Sequence, residues 1–142
     1  MNRTTLPLTL LASLCASGCL VYADGPGPGG GGTVENFAPE VTWADASCYW
    51  DASYQDDVWW FQADIFDENG LDDVTGVYAD VYDGETGEWA DAFELYYDGG
   101  HTWYSAWQGE STYLDCAYYD YVVEFSAEDT AGPGELYSLD LY

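Results

Sequence analysis

The sequence predicts an all-β protein: a single Greek-key β-sandwich of about seven strands, preceded by an export signal and a glycine-proline tether. Three observations predict it. From Ala38 onward apolar and polar residues alternate, the period of strands with one buried face. Clusters of Asp, Asn, Gly and Pro recur about every ten residues, the spacing of short strands joined by turns. The same region has no helical stretch of useful length.

Residues 1–18 carry the three parts of an export signal: Arg3 as the charged start, Leu6 to Leu14 as the apolar stretch, and small residues before a cleavage point. That stretch is too short, and too interrupted by Pro7 and Thr9, to span a bilayer. Ala16-Ser17-Gly18-Cys19 resembles the lipobox of bacterial lipoproteins. The resemblance implies cleavage before Cys19 and a diacyl anchor on it, and Leu20 after the cysteine implies outer-membrane sorting. Val21-Tyr22-Ala23 offers a competing, ordinary secretory cut, which would discard Cys19 and release the protein. Residues 25–32 are only glycine and proline, so residues 19–36 read as a flexible tether with a reach of about 25 Å.

All 27 acids lie after residue 23, and the one basic residue, Arg3, is in the signal. The remainder has a formal charge of −27 before its amino terminus and His101 are counted. Nucleic acid and anionic lipid surfaces would repel it, so neither is a direct partner. Such charge often accompanies disorder, but 18% aromatic residues and an ordinary apolar fraction supply a core. Two causes favour so acidic a surface: adaptation to salt, or the collection of divalent cations. A thermal titration separates them, because specific calcium sites saturate while screening does not.

The strands follow in order. Val41 to Ala46 is the first. Trp59, Phe61, Ala63 and Ile65 alternate with Trp60, Gln62 and Asp64 in the second, which Asp67-Glu68-Asn69-Gly70 ends. Val77, Ala79 and Val81 point inward in the next, with Tyr78, Asp80 and Tyr82 outward, up to a turn at Asp83-Gly84. Phe93 and Leu95 mark another strand, closed by Asp98-Gly99-Gly100. Residues 102–108 form one whose two faces both carry rings. Tyr121, Val123, Phe125 and Ala127 define the penultimate strand, and residues 136–142 close the chain after Gly132-Pro133-Gly134.

Three segments resemble the immunoglobulin-like or fibronectin type III-like domains of bacterial surface proteins. They are "NFAPEVTW" at 36–43, "FQADIFDENGLDDVTGVYADV" at 61–81 and "YVVEFSAEDTAG" at 121–132. The resemblance implies one immunoglobulin-like β-sandwich domain over residues 37–142. Cys48 precedes the second strand and Cys116 the penultimate one, unlike the antibody arrangement, so an inter-sheet bridge packed on tryptophan is not implied. The exported context predicts a Cys48–Cys116 disulfide, with metal or redox use the lesser alternative.

Chemistry has few supports. Without Lys or Arg there is no cationic clamp for phosphate or an oxyanion, and His101, at a Gly-Gly turn, reads as an exposed loop residue. No catalytic residue is expected, and no cofactor is required. Calcium is the candidate ion, with Asp67, Asn69, Asp72 and Asp73 as its best ligand cluster and Asp129 as a lesser one. The alternative is a turn alone, in which Asn69-Gly70 supplies positive φ and Asp67 accepts from backbone amides. Among 26 rings, Tyr78, Tyr82, Trp103, Tyr104 and Trp107 are the candidates for ligand stacking, against the simpler explanation that aromatics form strands well. The expected function is a non-enzymatic, tethered cell-surface module for adhesion, display or envelope assembly. Its alternative is a carbohydrate-binding module assisted by calcium. A glycan or a surface protein is the expected partner, and the membrane is reached through the covalent lipid.

Overall fold

The alternation that predicts the strands also sorts their side chains. The computed structural model describes residues 35–141; the signal, Cys19, the tether up to residue 34, and Tyr142 lie outside the described residues. Among the described residues there are eight strands and no α-helix. They are β1 (Glu40–Asp51), β2 (Asp56–Phe66), β3 (Gly76–Asp83), β4 (Trp89–Glu94), β5 (Tyr96–Gly99), β6 (Thr102–Gln108), β7 (Tyr121–Glu128) and β8 (Tyr137–Leu141). Two antiparallel sheets, in the orders β1-β2-β6-β5 and β4-β3-β7-β8, make a sandwich compatible with an immunoglobulin-like domain.

The core comes from the inward positions of three central strands. Phe61, Ala63 and Ile65 of β2, Val77, Ala79 and Val81 of β3, and Val123, Phe125 and Ala127 of β7 are wholly buried. Each large member contributes about 1.5–3 kcal/mol by leaving water. Phe61 stacks on Phe93 of β4 across the sandwich, with ring centroids 4.5 Å apart.

Two elements differ from the sequence expectation. The first strand runs on to Asp51, past Ala46, because its inward residues Ala44, Ala46 and Cys48 lie opposite Ala63, Phe61 and Trp59 of β2. The eighth strand is β5, which has no apolar alternation of its own. The chain changes sheets at Leu95, 1% exposed, and the tyrosines beyond it pair with β6.

Cys48 and Cys116 are joined, with their Cα atoms 5.7 Å apart. The bridge ties β1 of one sheet to the loop leading into β7 of the other, and Cys48 lies opposite Trp59 in the register. A tryptophan neighbours the bridge after all, supplied by the adjacent strand.

Candidate functional site

Two connections meet at one end of the sandwich: the crossover from β2 to β3 and the turn from β7 to β8. In the first, Asp67 Oδ1 accepts from Asn69 N–H at 2.7 Å, and Gly70 takes φ 103°, where a side chain would be strained. A 3₁₀ turn at Leu71–Asp73 follows. In the second, Asp129 Oδ1 accepts from Ala131 and Gly132 N–H at 2.7 and 3.0 Å.

These local turns bring one carboxylate oxygen each of Asp67, Asp73 and Asp129 within 4.8 Å of one another. Asp67 and Asp129 are each only 8% exposed. Asp67 Oδ2 and Asp73 Oδ1 are buried without a hydrogen-bond partner. Two unit charges at this separation repel by about 3.5 kcal/mol at an effective dielectric constant of about 20, and the described residues contain no Lys or Arg to offset it. A hard divalent cation suits such an all-oxygen set.

The expected ligands divide. Asp67 and Asp73 join the cluster, and Asp129 completes it from far along the chain. Asn69 belongs to the incoming segment instead: its Oδ1 accepts from Phe37 N–H at 2.8 Å and its Nδ2 donates to the Glu35 carbonyl at 2.9 Å. Asp72 is exposed and outside the cluster. Asn36, which sequence reasoning missed, donates from Nδ2 to Asp129 Oδ2 at 2.9 Å and to Thr130 Oγ1 at 3.1 Å. Cys48, Asp57 and Cys116 also stand together, but the disulfide occupies both sulfurs.

The candidate aromatic residues lie on separate surfaces. Tyr78 and Tyr82 are half-buried on the outer face of the β4-β3-β7-β8 sheet. Tyr78 Oη donates to Glu128 Oε1 at 3.2 Å; burial, then this bond, raises its pKa, while burial, then the Asp80 charge, raises that of Tyr82. Trp103 and Trp107 share the inner side of β6, where they pair with Ala63 and Trp59, and Tyr104 lies on its outer side.

One surface does assemble around the candidate Tyr104, together with residues the sequence did not single out. Across the outer face of the β1-β2-β6-β5 sheet, Asp45, Gln62, Tyr104 and Tyr96 form one row, with Trp43 and Asp64 paired beside it. Trp43, Tyr104 and Tyr96 are 42%, 40% and 55% exposed. At the edge, β5 stops short of the second half of β6, leaving a cleft of about 480 Å³ lined by Tyr96, Tyr97, Tyr104, Ser105 and Trp107 among others. Ser105 Oγ there is buried without a partner. The paired tyrosines 96 and 97, set before an Asp-Gly-Gly turn, were the available signal. His101 is exposed in the turn before β6, where its carbonyl accepts from Ile65 N–H at 2.8 Å. Compared with known proteins, the chain matches no family model, no curated protein and no solved structure.

Proposed function

We propose that the chain is a non-enzymatic, acidic cell-surface module for adhesion, display or envelope assembly. It is exported by residues 1–18, anchored through lipid on Cys19 and held off the membrane by the tether up to residue 36. The observation that carries a binding role is the outer face of the β1-β2-β6-β5 sheet, where exposed Trp43, Tyr96 and Tyr104 stand among acids and an amide. Soluble proteins rarely leave large apolar surface open without a partner, and Trp and Tyr are enriched at interfaces because each combines an apolar ring with a polar tip. The absence of Lys and Arg from the described residues, together with the exposed position of His101, supports binding over catalysis.

A second reading, carbohydrate binding, is favoured by the cleft at the end of β5. There Tyr96, Tyr97, Asp98, Tyr104 and Trp107 line one open cleft, the combination of ring faces and polar groups that a neutral sugar would meet.

A glycan array probed with the wild-type protein and Tyr104→Ala, with and without EDTA, divides the two readings. Absence of binding in every condition leaves the display module; binding lost in Tyr104→Ala installs the carbohydrate reading. Metabolic palmitate labelling of wild type and Cys19→Ala tests the anchor, and an unlabelled wild type would overturn it.

A further inference from the structure

We propose that Asp67, Asp73 and Asp129 bind a calcium ion that fastens the incoming chain at residues 35–37 to the end of the sandwich.

The spacing and the donor set accommodate the ion. Calcium–oxygen bonds of 2.3–2.6 Å place opposite ligands about 4.6–5.2 Å apart, and the three carboxylates present oxygens no more than 4.8 Å from one another. Magnesium demands a near-ideal octahedron and gives up its waters reluctantly, which suits a flexible all-protein oxygen set less well. Zinc is disfavoured by a site that contains neither nitrogen nor sulfur.

Acidity alone does not carry the proposal, since this chain is acidic throughout. The second observation is unmet demand. Asp67 is 92% buried by its 8% exposure, and its Oδ2 has no partner; Asp73 Oδ1 is buried and unpartnered beside it. Buried polar atoms are nearly always paired, and an orphaned carboxylate oxygen is among the costliest exceptions. At the turn acid Asp83, by contrast, both oxygens are met: Oδ1 accepts from Glu85 and Thr86 N–H, and Oδ2 from the Tyr118 hydroxyl.

The consequence lies in what the ligands touch. Asp129 accepts from Asn36, and the Asp67 turn positions Asn69, whose amide holds Phe37 N–H and the Glu35 carbonyl. Drawing the three carboxylates around one ion therefore orders the contacts that hold residues 35–37. Residues 35–37 would then be held to the end of the sandwich by the ion as well as by their own hydrogen bonds. Calcium binding does not rest on the display reading: a protein that bound no glycan and carried no lipid would still have this centre.

The full chain, stripped of metal with EDTA, is titrated with calcium chloride by calorimetry at fixed ionic strength, beside a magnesium chloride titration. One saturable calcium site is expected, at least tenfold tighter than magnesium. Asp73→Asn should weaken calcium at least tenfold while raising the melting temperature of the metal-free protein, because it relieves repulsion. A folded variant is thus assured a readout. Asp72→Asn should leave calcium affinity unchanged. Calcium should also slow hydrogen exchange at the Phe37 amide in the wild type and not in Asp73→Asn. The absence of saturable binding, equal calcium affinity in Asp73→Asn and wild type, or magnesium binding as tight as calcium would overturn the assignment. Calcium binding with no change at Phe37 would overturn the fastening.

Discussion

Breaking the Cys48–Cys116 bridge tests how much of the domain's stability resides in its unfolded state. The bridge spans a sequence separation of 68 residues, enclosing β2 to β6 and two complete passages between the sheets, from β2 to β3 and from β4 to β5. For a loop of that length, the chain-entropy relation assigns about 4 kcal/mol at 25 °C. A small domain has about 5–15 kcal/mol in all, so the loss would be a large share. The unfolded chain here suits the relation well, because its concentrated like charge expands it and discourages residual structure. Urea unfolding of oxidised wild type, reduced wild type and Cys48→Ala/Cys116→Ala at one salt concentration measures it. Reduced wild type keeps both sulfur atoms, so it separates the cross-link from packing lost in the double variant. Both uncrosslinked forms should lose about 4 kcal/mol, with a steeper dependence on urea because more surface is exposed on unfolding. Oxidised and reduced protein agreeing to within about 1 kcal/mol would refute the reasoning.

Phe61→Ala should cost about 3–5 kcal/mol in the same experiment, because the ring is wholly buried and stacks on Phe93 at the centre of the sandwich. Tyr118 should titrate late: desolvation, then the bond its hydroxyl donates to Asp83 Oδ2 at 3.0 Å, pushes its pKa up to about 12. Its folded pKa lies above the unfolded value of about 10, so its stabilising contribution is complete below pH 10 and is lost as pH rises toward about 12. Tyrosinate absorbance followed through an alkaline titration should show a late component that Tyr118→Phe removes.

The strands were legible where one face is buried and the other wet. β2, β3 and β7 have the strict alternation that follows from side chains pointing to opposite faces, and their inward residues are the core. Legibility failed at β5, an edge strand of four residues that are exposed or half-buried, since nothing periodic can be read where neither face is fully covered. It failed differently at β6, where Ser105 is the buried centre and large rings flank it. Residue type there misstates depth: Trp103 and Trp107 reach inward from a partly open edge, while Tyr104 joins the outer face.

The acids show why the site was only half legible. Asp51, Asp67, Asp83, Asp115 and Asp129 each accept the N–H two residues on, so all five look alike in sequence as turn formers. Asp83 is held below the ordinary carboxylate pKa first by the Thr86 N–H, the signature of an acid whose demand is met locally. What distinguishes Asp67 is its second oxygen, which local turn geometry leaves unmet and which the fold then buries beside Asp73 and Asp129. That convergence depends on β2 and β7 ending at the same pole of two different sheets. Among the described residues, which contain no Lys or Arg, a buried carboxylate can be satisfied by backbone N–H groups, side-chain donors, water, a proton or an ion. Where the first two are absent, as at Asp67 Oδ2 and Asp73 Oδ1, the proposed calcium ion would supply the missing partner.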